Sequence, residues 1–388
     1  MYNFTWNIPT IIHFGKDQLS HLEELKESGK KLLMVYGGGS IKKIGIYDKA
    51  VEILKKSGLE IFELPGIEPN PRIESVRKGV ELCKKNKIDM LLAIGGGSTI
   101  DASKVIAAGA CYDGDPWDLV LDGNKMTKAL PIYTVLTLAA TGSEMDPYAV
   151  ISDLTKNEKW GTGNQCVKPK MSILDPSYTF SVSKKQTAAG TADIMSHTFE
   201  NYFTTVKGND FQKNICEAIL KTLIKYGPIA YNEPDNYDAR ANLMWCSSMA
   251  INGLVSLGSA VEWCVHPMEH ELSAFYDITH GEGLAILTPV WMEHCMKKNP
   301  NTIADFANFG RNVFAINEAN DKLCAEKAVA ALRKYLFEDL HIPSNLRAVG
   351  ITEKVNFGKM AEKAEKGCKG CYEPLSKEDI VAIFDAAY

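Results

Sequence analysis

No stretch of the 388-residue chain approaches the run of about 20 apolar residues that a bilayer-spanning helix needs, so no membrane partner is expected. The N-terminus, MYNFTWNIPTIIHFGK, lacks a basic segment leading into an apolar one, so no export signal is visible and a cytoplasmic location is expected. Positive charge is not in excess: 43 Lys and Arg against 48 Asp and Glu leave a net charge of -5, with the cations scattered. A nucleic-acid surface would need them concentrated. Internal repeats and low-complexity segments are also missing. Ten cysteines are spread through the chain, and without a leader they read as reduced core residues rather than disulfides. Only Cys368 and Cys371, in GCKGC, stand as a C-x-x-C pair, and with no second half nearby they read as bystanders.

What is present is a two-part pattern, as expected for a chain longer than one core usually holds. KLLMVYGGGS, DMLLAIGGGST and LPIYTVLTLA read as buried strands, and IYDKAVEILKKSG and IDASKVIAAGA read as amphipathic helices between them, which together predict βαβ units around a parallel sheet. After SVSKK, long helical patterns such as FQKNICEAILKTLIKYG replace the strands. The predicted class is α/β followed by all-α, with an α/β domain over 1–183 and a helical domain over 184–388. The opening stretch, with Phe4, Trp6, Ile8, Ile11, Ile12 and Phe14 around Pro9, suits an edge hairpin that pairs with another chain.

GGGS occurs twice, at Gly37, Gly38, Gly39 and Ser40 and again at Gly95, Gly96, Gly97 and Ser98, each time between a strand and a helix. Glycines there let backbone approach a phosphate, and the free N–H groups of a helix start favour an anion. Neither copy matches the stricter G-x-G-x-x-G fingerprint, but two in one sheet point to a nucleotide site. TLAATGSE, Thr137 to Glu144, follows the third strand with small and hydroxyl residues suited to an adenine or ribose.

In GTADIMSHTFE, Asp193 and His197 stand four apart and share a helix face. The pair is either half of a metal site or a surface hydrogen bond. VHPMEHELSAFYDITHGEG adds His266, His270 and His280 within fifteen residues. One carboxylate and several imidazoles suit a divalent first-row metal, iron or zinc. Spacing alone leaves open which of His266 and His270 binds it. Pro267 disfavours helical geometry at the residue before it, so His266 is expected at a helix start or kink.

These blocks, with YGGGSIKKIGIYDKA, GIEPNPR, ARANLMW and HPMEHELSAFYDITHG in the same order, give a chain that resembles the iron-containing, or group III, alcohol dehydrogenases, and among them the butanol dehydrogenase branch. The resemblance implies a Rossmann-like dinucleotide-binding domain followed by a helical metal-binding domain. It implies metal ligation by Asp193, His197, His266 and His280, with Fe2+ ahead of Zn2+, and leaves His270 as a catalytic, non-ligand histidine near the nicotinamide. It places the pyrophosphate on Gly96, Gly97 and Ser98, and Asn70, Asp101, Thr137, Thr141, Lys159 and Tyr178 around the rest of the cofactor. NAD-preferring relatives often carry an acidic residue where this chain has Gly38. Ser40 with Lys42 or Lys43 leans the expectation towards NADP(H), with NAD(H) the alternative. An apolar substrate pocket with Tyr148, Leu257 and Trp263 is expected to take short primary alcohols and their aldehydes, and a homodimer is implied. Dehydroquinate synthase-like lyases and glycerol dehydrogenases are competing enzyme readings, and a non-catalytic nucleotide-binding protein is the third.

Overall fold

A computed structural model describes residues 1–260 and 263–388. Contacts divide the chain into two compact units. One holds Asn7–Val182 with Pro234–Met244, and the other holds Met1–Trp6, Ser183–Glu233 and Trp245–Tyr388. The division falls beside Ser183 but is not a single cut, because the first six residues and a stretch after Glu233 are exchanged.

The first unit contains β1 (Ile11–Phe14), β2 (Lys31–Tyr36), β3 (Glu60–Leu64), β4 (Met90–Gly95), β5 (Ile132–Leu136), β6 (Tyr148–Asp153), β7 (Glu158–Gly163) and β8 (Met171–Leu174). Its helices are α1 (Ser40–Lys43), α2 (Ile46–Lys56), α3 (Ile73–Asn86), α4 (Gly97–Gly109) and α5 (Pro116–Leu121), with a 3-10 helix over Gln18–Ser28. Six strands form one parallel sheet in the order β1-β8-β5-β4-β2-β3, and β6 and β7 make a separate antiparallel hairpin. The expected N-terminal hairpin does not form. Only Ile11–Phe14 is extended, and it lies parallel to Met171–Leu174 at the sheet edge, so its partner comes from far along the chain rather than from a local turn.

Alternation along each strand sorts side chains to the two faces. Leu33, Val35, Leu91 and Ile132 meet Val76 and Val80 of α3 and Val105 and Ile106 of α4 on one face. Leu32, Met34, Leu92 and Val135 meet Ala50 and Leu54 of α2 and Leu19, Leu22 and Leu25 of the 3-10 helix on the other. Two-sided burial explains why the strands read as continuous apolar runs rather than as alternation. The neighbours β2 and β4 therefore send their following helices to opposite faces. That is the topological switch point of an open α/β sheet, where the crevice outside the strands' carboxyl ends binds ligands. Both GGGS turns sit at this point.

Every regular element described in the second unit is a helix. The unit comprises α6 (Lys184–Tyr202), α7 (Asp210–Asn232), α9 (Val265–Tyr276), α10 (His280–Lys298), α11 (Ile303–Phe314), α12 (Asp321–Arg333), α13 (Phe357–Cys368) and α14 (Lys377–Ala387). It also takes the end of α8 (Tyr237–Ile251), whose start belongs to the first unit. Ser183 caps α6 by accepting the Gln186 N–H at 3.2 Å. From Thr187 to Tyr202 every residue of α6 is buried. Such a helix has no solvated face to carry a decorative Asp–His pair, so the surface reading of Asp193 and His197 does not hold.

Candidate metal centre and cofactor turns

Asp193 and His197 project from the buried middle of α6, and His266 stands in the first turn of α9, where Pro267 requires a helix start. His280 is the first residue of α10. Glycines bring it in. A Cβ on Gly281 would lie 2.0 Å from the carbonyl oxygen of Ala189, one turn before Asp193, and a Cβ on Gly283 would lie 2.8 Å from Glu269 Cγ. The HGEG sequence thus lets the start of α10 press against both α6 and α9.

The three imidazoles converge on one oxygen. His197 Nε2 is 3.5 Å, His280 Nε2 3.6 Å and His266 Nε2 3.8 Å from Asp193 Oδ1. These distances are too long for hydrogen bonds. The His197 and His280 distances match the separation of neighbouring ligands around one ion, about 3.3–3.6 Å in a tetrahedral site with bonds of about 2.0–2.2 Å; that of His266 is slightly longer, and Asp193, His266 and His280 are the three whose ligand atoms all lie within 4.8 Å of one another. Asp193 Oδ1 and His266 Nε2 are buried with no hydrogen-bond partner, a cost of about 1–3 kcal/mol for each such group. A cation among them removes that cost, so the residues fit a divalent metal.

Two carboxylates that the sequence reading did not pick out fix the ring orientations. Glu200, seven residues after Asp193 on α6, accepts the Nδ1 proton of His266 through Oε2. Its Oε1 accepts the N–H groups of Cys264, Val265 and His266 at 2.9, 2.6 and 3.0 Å, a negative charge at the start of α9 where the helix dipole favours one. Glu269 accepts from His280 Nδ1 and from Ser273 Oγ. With each Nδ1 donating, Nε2 carries the lone pair that points at Asp193. The signal was available: Glu200 falls on the same helix face as Asp193 and His197, and Glu269 lies one turn from His266.

Charge follows from this arrangement. Burial opposes ionisation of Asp193, but His197, His280 and His266 hold its carboxyl well below the usual range. Burial lowers His197 to about 4. Burial opposes protonation of His266 most strongly, but Glu200 and Asp193 together outweigh it and raise its pKa to about 9, so a cation bound there would displace the proton from Nε2.

His270 lies one turn beyond His266, part-buried, its ring centroid 6.0 Å from that of His266 and 5.6 Å from that of His280. Glu269, His270 and His280 also sit close enough to share an ion, but Glu269 already accepts from His280 and Ser273. The Asp193-centred group is the better metal site. Trp263, from the expected substrate pocket, borders it, with its ring 4.8 Å from His266 and 6.0 Å from His197. Leu257 is partly buried in the same unit, and Tyr148, at the start of β6 in the other, is half exposed. No Lys or Arg occurs from Gln186 to Val206 or from Trp263 to Gly283.

In the sheet unit, the turn after β4 is built for close approach. Gly96 precedes α4 without a side-chain cap, so the first N–H groups of the helix are left for an anion. A Cβ on Gly97 would lie 2.3 Å from Thr141 Oγ1, and Gly96 faces Leu138. Thr137 N–H donates to Gly95 O at 3.0 Å. Gly96, Gly97, Ser98, Thr137 and Thr141 are therefore brought together. In the turn after β2, Gly39 is left-handed (φ 98°) and precedes Ser40, while a Cβ on Gly38 would meet nothing within 4 Å. Gly37 O accepts from Gly66 N–H at 3.2 Å. Asn70 has a left-handed φ of 51°, Lys159 is buried on β7 and Tyr178 packs against the sheet.

Asp101, the other residue expected near the cofactor, stands on α4 close to the Gly96–Ser98 turn. It is buried, and its oxygens accept Ser143 Oγ at 2.6 Å and Val150 N–H at 2.9 Å, so it braces the 143–150 segment. Beside it the fully buried Lys104 donates to Ser143 Oγ at 2.9 Å, Asp146 Oδ1 at 2.7 Å and Tyr148 O at 2.6 Å. Cys368 and Cys371 are buried free thiols, and burial pushes the Cys368 thiol far up. Cys371 Sγ faces the carbonyls of Cys368 and Glu373.

Comparison with known proteins agrees with this geometry. Residues 9–176 match the family described as iron-containing alcohol dehydrogenase, and residues 187–388 match the C-terminal part of the Fe-containing alcohol dehydrogenase family. The chain is 55% identical to NADH-dependent butanol dehydrogenase A of Clostridium acetobutylicum, with 100% of each chain covered. It is 40% identical to an NADPH-dependent aldehyde reductase of Escherichia coli, over 90% of each. The crystal structure of a Thermotoga maritima NADH-dependent butanol dehydrogenase A superposes with a TM-score of 0.94 at 39% identity, covering 100% of this chain and 99% of that one. With both parts matched, the chain belongs to the iron-containing alcohol dehydrogenases, oxidoreductases that interconvert alcohols and aldehydes with NAD(P)(H).

Proposed function

We propose that the protein reduces short aldehydes such as butanal, and oxidises the matching primary alcohols, by hydride transfer with a nicotinamide cofactor at a metal held by Asp193, His197, His266 and His280. The observation that carries this is the convergence of three Nε2 atoms on Asp193 Oδ1 in a buried pocket where that oxygen has no hydrogen-bond partner. A divalent cation there supplies Lewis-acid polarisation of a carbonyl oxygen and acidifies a bound alcohol. Glu200 and Glu269 hold the rings of His266 and His280 in the ligating tautomer. His270, beside the site, carries the proton exchanged with the alcohol oxygen, a contribution of about 10²- to 10⁴-fold. The apolar and aromatic character of Trp263, Leu257 and Tyr148 favours an aliphatic substrate. The absence of cationic residues along the ligand-bearing segments speaks against a phosphorylated or multiply anionic substrate, and so against the lyase reading.

The pyrophosphate is assigned to Gly96, Gly97 and Ser98, with Thr137 and Thr141 alongside, and the adenosine ribose to Gly37, Gly38, Gly39 and Ser40. Asn70, Lys159 and Tyr178 are assigned to the remainder of the cofactor. For the choice of cofactor, the surroundings of Lys42 favour NAD(H) over the NADP(H) that the sequence leaned to. Lys42 Nζ lies 4.5 Å over the Tyr47 ring and 5.3 Å over Tyr36, and both phenols donate to Glu63, at 2.8 and 2.6 Å. That lysine is engaged beside a carboxylate rather than free for a 2'-phosphate. The relatives at 55% and 53% identity are named NADH-dependent.

A homodimer is proposed through β1. It is an edge strand of the described sheet, and Ile11 and Phe14 are exposed on it, as are Phe4 and Trp6 before it. Strand addition by a second copy covers such an edge. No described helix is long and apolar enough to cross a membrane, and all ten cysteines are free, which supports a reducing, cytoplasmic setting. The test of the activity is direct. Protein, butanal and NADH or NADPH are mixed and the reduced nicotinamide absorbance is followed with and without chelator. Chelator-sensitive turnover, faster with NADH, is expected. No turnover with any short aldehyde would overturn the reading.

A further inference from the structure

A second cluster of metal-ligating side chains lies in the sheet unit, apart from the residues assigned to catalysis, all of which belong to the helical unit. His13 stands on β1, and the chain turns through Gly15 (φ 117°) and Asp17 (φ 61°) directly into the 3-10 helix. On that helix His21 and Glu24 are three residues apart. With three residues per turn they stand one above the other. The strand and the helix thus deliver two imidazoles and a carboxylate to one place.

His13, His21 and Glu24 each offer a ligand atom, and these lie within 4.8 Å of one another. Glu24 Oε1 is 2.6 Å from His21 Nδ1 and 3.9 Å from His13 Nε2. The two rings stack with centroids 3.4 Å apart and planes 13° from parallel. His13 Nε2 is buried and has no hydrogen-bond partner, so one ring nitrogen is taken from water and left facing a carboxylate beyond hydrogen-bonding reach. Burial, then the neighbouring His21, push the His13 pKa down. The ring is therefore neutral near pH 7, with a nitrogen lone pair to offer.

We propose that His13, His21 and Glu24 form a second divalent-metal site, taking a borderline cation such as Zn2+ with water in the remaining positions. Two imidazoles and one carboxylate are the donor set such ions prefer. Ligation requires the exposed Glu24 side chain to exchange its hydrogen bond with His21 for the ion, and the two stacked rings to tilt so that their in-plane lone pairs converge on it. The ion clips the edge strand β1 to the 3-10 helix that follows it. Its consequence is stabilisation of the sheet unit by linkage, because the site does not exist in the unfolded chain.

The test uses the full chain with its catalytic iron in place. Zn2+ is titrated in, excess is removed by gel filtration, and iron and zinc per chain are measured beside butanal reduction. The expected result is one zinc retained per chain, with iron and activity unchanged and a higher melting temperature. His13→Phe, which keeps an aromatic ring in the stack, should lose the zinc and the thermal shift while keeping iron and activity. His21→Phe, at a partly exposed position of the 3-10 helix, should do the same and serves if the first variant folds poorly. Zinc retained equally by both variants, zinc that enters only by displacing iron, or no zinc retained by the wild type would each overturn the proposal.

Discussion

Gly281 faces the carbonyl of Ala189 so closely that a Cβ there would lie 2.0 Å from the oxygen. This approach sets His280, the residue before it, against the helix turn that carries Asp193. Gly281→Ala must push α10 away from α6. Overpacking of this kind costs about 1–3 kcal/mol, less than a whole unit's stability. The expected variant keeps its helical circular dichroism, melts several degrees lower and is purified with little metal. Normal metal content and activity would show that His280 does not depend on this contact.

Glu200 and Glu269 act through the rings they orient. Replacing either with Ala leaves the four candidate ligands in place but frees His266 or His280 to rotate. Partners of ligating histidines are typically worth 10- to 100-fold in metal affinity or activity. Competition with a chelator should show a loss of that order in Glu200→Ala and Glu269→Ala, with activity recovered at high added Fe2+. Glu200 carries an additional burden, since it also holds three backbone N–H groups at the start of α9, so its variant should melt lower than the Glu269 variant.

Lys104 donates three hydrogen bonds from a fully buried position to the 143–148 segment. Lys104→Met leaves Asp146 buried without its cation, holding only the Tyr148 N–H. Breaking such a pair costs about 3–5 kcal/mol. Denaturant unfolding should show a loss of this size, and cofactor KM should rise because Thr141 lies two residues before Ser143. A loss below about 1 kcal/mol would mean that water replaces the amine.

At Gly38 a side chain would meet no protein atom within 4 Å, so Gly38→Asp introduces an acidic group without steric cost. A carboxylate there accepts the ribose 2'-hydroxyl of NAD and repels a 2'-phosphate. The ratio of kcat/KM for NADH over NADPH should increase by at least about tenfold, equivalent to about 1.4 kcal/mol. An unchanged ratio would move the adenosine ribose away from the Gly37–Ser40 turn.

Much of this was legible in the sequence for physical reasons. Strands buried on both faces, such as KLLMVY and MLLAIG, show as continuous apolar runs, and glycine-rich strand-to-helix turns declare a close approach. The histidines 266, 270 and 280 stood out because three imidazoles fall within fifteen residues. What spacing could not separate was His266 from His270, because both share a helix face. Only the distance to Asp193 does so. Glu200 and Glu269 passed unnoticed because a glutamate on a helix is ordinary until its burial is known. The bracing of the 143–150 segment by Asp101 also went unread, because its partners Ser143 and Val150 lie more than forty residues away. The N-terminal hairpin failed because β1 finds its partner about 160 residues later, a long-range pairing that local alternation does not encode.

The central claim is that Asp193 is the oxygen around which a catalytic divalent metal is held. Its most direct test is the metal content of anaerobically purified wild type and Asp193→Ala, measured beside butanal-dependent NADH oxidation. One iron or zinc per active site is expected in the wild type, and loss of both metal and turnover in the variant, with its fold intact by circular dichroism. A variant that turns over at the wild-type rate with an empty site would contradict the claim.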